Sequence, residues 1–200
     1  MSGHVDLVAA PDSALAQAAT DLLTDCAPEV LVNHCHRVYQ WACALGEHRK
    51  WRVDRELLYL ESMLHDLGVT ERFDGPKSFE VEGGNAAEKF LLEHGCPKKR
   101  AETVKEATLL HVDTKTFQDP RHEVALLAMA CAMENRGEFA DEFDADFIDA
   151  VVQKWPRKAY REYTRRTSQD HAERKPDSLS AQLVNSGVFD RDPQDSPFAE

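Results

Sequence analysis

Met63-Leu64-His65-Asp66-Leu67-Gly68 sets an imidazole and a carboxylate side by side at the end of an otherwise oily segment. Residues 54–67 have the spacing of a helix. Asp54 is suited to cap its first turn and Gly68 to supply a left-handed position after its last. Leu57, Leu58, Leu60, Met63 and Leu64 mark most of its circumference for burial. A carboxylate buried there without a partner is costly, so it needs a cation or a hydrogen-bond network. Neighbouring helical residues lie about 100° apart around the axis, so one ion on the edge of the last turn is within reach of both side chains. The pair reads as half of a metal site.

Outward from this segment helical spacing recurs and strand alternation does not, which predicts an all-α fold. Upstream, Leu15, Ala18, Ala19, Leu22 and Leu23 form one stripe that ends before Pro28. Asn33 is a capping residue for a helix running to about His48. Along it His34, Val38, Trp41 and Leu45 fall at i, i+4, i+7 and i+11, placing His34 on the apolar side and His36 on another face. Downstream, the turn-rich loop 69–77 and the aromatics Phe73 and Phe79 suggest a pocket wall. A helix from about Phe79 to His94 follows, closed by Gly95 and Pro97. Glu82 in its first turn either complements the helix dipole or moves protons.

Residues 98–111 form a further helix that directs His111 inward. Asp119-Pro120 is expected to open another, ended by Gly137, whose apolar stripe carries Leu127, Ala130, Cys131 and Glu134. Glu134 has no neighbouring base in sequence and needs a positive partner in space. After a helix over 144–154 and a break at Pro156, residues 154–166 hold six positive side chains against one acid. Such a stretch is either a solvated face or a lure for an anion. A short helix near Leu179–Asn185 and a disordered tail over 189–200 complete the expectation. The organisation is thus a lead-in and packing helix (1–28), a helical domain with a C-terminal extension (29–188) and the tail.

The hydrophobic fraction of 42% and the charged fraction of 30% are those of a soluble globular protein. A formal charge of -12 gives the wrong sign of attraction for nucleic acid or an anionic membrane. Five scattered cysteines without a Cys-x-x-Cys spacing favour reduced thiols, and a cytoplasmic protein, over a disulfide scaffold. The chain has no apolar run of about 18 residues and no signal-peptide order at its N-terminus. The expected partners are a small-molecule substrate and, at most, further copies of the chain in a homo-oligomer.

Four inward groups, His34, His65, Asp66 and Glu134, then supply two nitrogens and two oxygens. This set suits zinc, with iron or manganese as alternatives. The ion would acidify water for attack on an electrophilic carbon or phosphorus beside Asp66, with His111 or Glu82 carrying protons. Phe73, Phe79 and Cys35 are the expected substrate-pocket residues.

In order and spacing, Asn33-His34-Cys35-His36-Arg37, Leu64-His65-Asp66-Leu67-Gly68, Phe79-Glu80-Val81-Glu82-Gly83, Leu110-His111, Glu123-Val124-Ala125-Leu126-Leu127 and Trp155-Pro156-Arg157 resemble the HD-domain superfamily of metal-dependent hydrolases. More narrowly they resemble its cyanamide hydratase-type branch, over about residues 30–176. The resemblance implies an HD-domain helical bundle and a zinc ion, held by His34, His65 and Asp66, that helps add water to the nitrile carbon of cyanamide to give urea. Three positions depart from the pattern: Glu134 replaces a metal-binding Asp, Cys35 a Ser and Val112 a Thr. The expected function is a metal-dependent hydratase or hydrolase of a small polar molecule. The alternatives are an HD-type phosphohydrolase, a two-iron oxygenase recruiting His94 and His111, and a non-catalytic binding protein.

Overall fold

Helix 122–136 is the rod around which the others pack, because every residue from Val124 to Glu134 is buried. A helix apolar on all sides has no face to offer to water and must lie inside. In the computed structural model, which describes residues 6–187 and Phe198, this rod is α6 (His122–Arg136). The other helices are α1 (Ala14–Cys26), α2 (Glu29–His48), α3 (Arg55–Leu64), α4 (Phe79–Glu93), α5 (Lys98–Leu110), α7 (Ala145–Lys154), α8 (Tyr160–Arg174) and α9 (Leu179–Asn185). Short 3-10 turns occupy Leu67–Val69, Thr114–Gln118 and Ala140–Glu142. Among the described residues there is no strand, so the fold is all-α as expected.

The helices α2, α3 and α5 pack on α6, α4 packs on α5, and α8 pairs with α9. Alanines 125, 128, 130 and 132 on α6 let these neighbours approach closely. Local signals act where the sequence placed several of them: Asp54 caps α3 by accepting from the backbone N–H of Leu57 at 3.0 Å, and Gly95 (φ 77) and Gly137 (φ 73) take left-handed positions after α4 and α6.

Three boundaries differ from expectation. First, α2 begins at Glu29 directly after Pro28, so Asn33 lies within the helix; instead of capping, its amide donates to the carbonyl of Pro156 at 3.0 Å. Second, α3 stops at Leu64, and Gly68 sits in the turn Leu67–Val69 without a positive φ. Glycine is required there for another reason: a Cβ would collide with the carbonyl oxygen of Phe79 and come within 2.7 Å of the backbone nitrogen of Gly83. Third, α6 starts at His122, because Asp119 spends its carboxylate on the backbone N–H (2.9 Å) and guanidinium of Arg121. Most of the expected tail, 189–200, lies outside the described residues; Phe198, which is described, sets its ring 5.5 Å from that of Trp41.

Candidate metal centre

The two residues that end α3 and follow it come first. His65 is the C-terminal cap of α3, its backbone N–H donating to Glu61. Asp66 then turns the chain into the tight turn held against α4 by Gly68. His34 arrives from the second turn of α2, and His111 from the residue that caps α5. All three rings are buried.

Their Nε2 atoms and the Asp66 carboxylate converge. His34 Nε2 is 3.2 Å from His65 Nε2, and Asp66 Oδ2 is 3.4 Å from each. His111 Nε2 lies 3.8 Å from Asp66 Oδ1. Ligand bonds of about 2.0–2.1 Å at tetrahedral angles separate donor atoms by about 3.3–3.4 Å. The triangle His34–His65–Asp66 therefore has the dimensions of one face of such a shell, and its donor set fits a divalent transition ion.

The far sides of two of the rings support this. His65 Nδ1–H donates to the carbonyl of Ser62 at 2.9 Å, and His111 Nδ1–H to that of Thr108 at 2.6 Å. A carbonyl can only accept, so the proton of each neutral ring sits on Nδ1 and the lone pair on Nε2 faces the centre. His34 Nδ1 has no hydrogen bond within 3.5 Å; its nearest acid is Glu134 Oε1, at 3.7 Å. Burial pushes the pKa of His65 down to about 3, which keeps that ring neutral. Burial also opposes ionisation of Asp66, but the His65 ring and the hydrogen bond to His34 outweigh it and hold the carboxyl well below its usual range. The centre thus presents the neutral ring of His65 beside one anion, Asp66, while Asp66 and Glu134 raise the pKa of His34 against the effect of burial.

Glu134 stands behind this group rather than in it. Oε1 accepts from Arg37 Nη2 at 2.6 Å and Arg157 Nη1 at 2.7 Å, and Oε2 from Trp41 Nε1 at 2.7 Å. The positive partner anticipated for this acid is a pair of buried guanidiniums, which offset the burial penalty and lower its pKa. On α6 the residue nearer the centre is Cys131, whose sulfur comes within 4.8 Å of ring nitrogens of His65 and His111. Burial keeps its thiol pKa high.

A cavity of about 430 Å³ opens onto the centre, bordered by Phe79, Asn135, Arg157, Tyr160 and the inner face of α8. Tyr160 stacks on His34 with ring centroids 4.4 Å apart. Its hydroxyl donates to Asn135 at 3.1 Å and sits 3.3 Å from His34 Nε2. Of the expected site residues, His34, His65, Asp66, His111 and Phe79 border this cavity together. The others lie elsewhere. Glu82 accepts from the backbone N–H of Lys77 at 2.9 Å and holds the loop before α4. Phe73 packs at the edge of the core with Arg72 over its ring, and Cys35 is sealed inside it. His36 stacks on Trp155, and His94 bonds back to Phe90 at the surface.

Tyr160, Asn135 and Cys131 went unread as site residues in the sequence. For Arg157 a signal existed, the Trp155-Pro156-Arg157 segment, but the basic stretch around it was read mainly as a solvated face. Arg157 is in fact buried on Glu134, and Arg161 borders the cavity, whereas Lys158 and Arg165 pair with Glu29 and Glu162 at the surface.

No family model matches the chain. Over 132 residues, 64% of its length, it is 28% identical to the proteins named cyanamide hydratase DDI2 and cyanamide hydratase DDI3 of Saccharomyces cerevisiae. It is a distant relative of two yeast cyanamide hydratases. The matched stretch covers 59% of each yeast protein, so the chain spans about three-fifths of their length. No helix among the described residues is long and apolar enough to cross a membrane.

Proposed function

We propose that the protein is a metal-dependent hydratase of the HD type, active in the cytoplasm, that adds water across a carbon–nitrogen triple bond, with zinc as the ion. The observation that carries this reading is the donor triangle of His34, His65 and Asp66, with the Nδ1 atoms of His65 and of the adjacent His111 anchored. The likeness to the yeast cyanamide hydratases gives the reaction its direction. His34, His65 and Asp66 would hold the ion. When bound there, the ion supplies Lewis acidity, which activates water at neutral pH and polarises a nitrile.

The chain's own groups supply the rest. His111 presents a lone pair on Nε2 next to Asp66, positioned to take a proton from the attacking water. The hydroxyl of Tyr160, beside His34, would turn its one proton from Asn135 to the nitrile nitrogen as negative charge grows there. One O–H bond of water breaks, a C–O bond forms, one C–N π bond opens and the proton ends on nitrogen, which turns cyanamide into its isourea. The remaining O–H proton then moves to that nitrogen as the second C–N π bond opens and C=O forms, and the product is urea. Glu134 holds Arg37, Arg157 and Trp41 together behind His34 and fixes the depth of that ring.

Phosphoester hydrolysis is the second reading, favoured by Arg136, Arg157 and Arg161 in the cavity wall. Protein purified without chelator and assayed for metal content, urea release from cyanamide and phosphate release from a phosphomonoester separates the two. Urea release proportional to bound metal is expected. Metal-dependent phosphate release without urea would replace the first reading by the second.

A further inference from the structure

Resting on the hydratase reading, we propose that the physiological substrate is an uncharged nitrile or substituted cyanamide several times larger than cyanamide, gripped along the hydroxyl-bearing face of α8. Size is the first argument. A water molecule takes up about 30 Å³, and the N–C–N skeleton of cyanamide is roughly two waters in volume. The cavity measures about 430 Å³. Cyanamide would leave most of it filled with solvent, a poor setting for a reaction that depends on fixed dipoles around the reacting atoms.

The chemistry of the walls is the second. The side of α8 that meets the cavity carries Tyr160, Tyr163, Thr164, Thr167, Ser168 and His171, at i, i+3, i+4, i+7, i+8 and i+11. A helix that covers a core shows apolar residues at this spacing. Here each position bears an oxygen or nitrogen, and all six are buried or half-buried. The opposite flank is apolar, formed by Leu31, Val69, Phe79 and Val112. A ligand that satisfies both sides has one flat apolar edge and one edge of hydrogen-bonding groups. Among the described residues the hydroxyl of Ser168 makes no hydrogen bond, so it is available to such an edge.

Charge is the third. Two of the guanidiniums in the wall are already matched by acids, Arg157 by Glu134 at 2.7 Å and Arg136 by Glu138 at 2.5 Å. An anionic ligand would have to compete with these pairs, whereas a neutral one leaves them intact.

The test compares cyanamide, phenylcyanamide and 4-(hydroxymethyl)phenylcyanamide, by calorimetric binding to metal-free protein and by turnover with metal restored. The hydroxymethyl compound is expected to bind in both forms and to exceed cyanamide in kcat/KM by roughly tenfold or more. Ser168→Ala should raise its KM about fivefold, the worth of one neutral hydrogen bond, with kcat held within about twofold. Val112→Phe, which narrows the apolar flank, should exclude both aryl compounds and serves if the serine variant does not fold. Turnover of cyanamide with neither aryl compound bound or converted would overturn this proposal and leave the hydratase reading standing. Ser168-dependent binding of the aryl compounds without turnover of any nitrile would support the cavity assignment and overturn the hydratase reading.

Discussion

His34 on α2 and Glu134 on α6 face each other across 3.7 Å, with the ring's Nδ1 toward a carboxylate that two arginines already hold. That distance is longer than a hydrogen bond and sets Glu134 apart from Asp66, whose Oδ2 lies 3.4 Å from the Nε2 atoms of His34 and His65. Glu134→Gln should weaken metal binding about 10- to 100-fold without abolishing it. It should also lower stability by about 3–5 kcal/mol, because Arg37 and Arg157 are left buried without an anion. Titration with a metal-sensitive dye and urea unfolding measure the two effects. Complete loss of the ion would make Glu134 a direct ligand after all.

His65→Ala and Asp66→Ala should each remove bound metal and urea-forming activity, while His36→Ala leaves both near normal. His36 spends its ring on Trp155, 5.4 Å away, and never meets the centre. Elemental analysis of the three purified variants decides this. A His65→Ala protein with a full metal complement would refute the assignment.

Tyr160→Phe deletes one oxygen and keeps the ring stacked on His34. Metal content should be unchanged and kcat should fall about 10²- to 10³-fold, the usual loss when one donor to a developing negative charge is removed. Steady-state kinetics with cyanamide provides the measurement; an unaltered kcat would move the hydroxyl out of the reaction.

The donor triangle could be read locally. His65-Asp66 stood out because a charged pair interrupts an apolar helix, and His34 because 3.6-residue periodicity put it on a buried stripe. The partners of Glu134 could not be read in this way, since Arg37 and Arg157 lie 97 and 23 residues away in sequence. Only the fold brings them together. The role of α8 was missed for a different reason: periodicity equates a buried face with an apolar one, and a helix roofing a wet cavity breaks that equation. Gly68 shows the converse, a correct residue with the wrong cause, for its absent side chain makes room for α4 rather than permitting a left-handed turn.

Gly68→Ala should accordingly cost about 3 kcal/mol or more, since the new methyl group meets backbone that cannot move aside as a side chain would. Asp66 is two residues away, so metal affinity should fall with stability. Thermal unfolding with and without added zinc would show a reduced zinc-induced rise in Tm.

Glu61 is fully buried on α3 and neither of its oxygens has a hydrogen-bond partner. Burial raises its pKa well above the usual 4.5, and the nearby Glu123 adds to the rise. The folded state therefore holds a proton that the unfolded chain releases. The resulting stability is fully present below about pH 4.3 and is lost as pH rises toward the folded value. Glu61→Gln should flatten this decline and give the more stable protein at pH 8, as read from urea midpoints at pH 5 and pH 8.

The helix that roofs the cavity is fastened in two unlike ways. Near its start Arg157 is buried on Glu134, while at its far end Arg174 and Lys175 grip Asp74 in a partly exposed cluster. Mobile ions screen the second fastening and hardly touch the first. Traffic into the chamber should therefore pass the solvent-facing end and quicken with added salt, while the ring of Tyr160 stays seated over the histidines throughout.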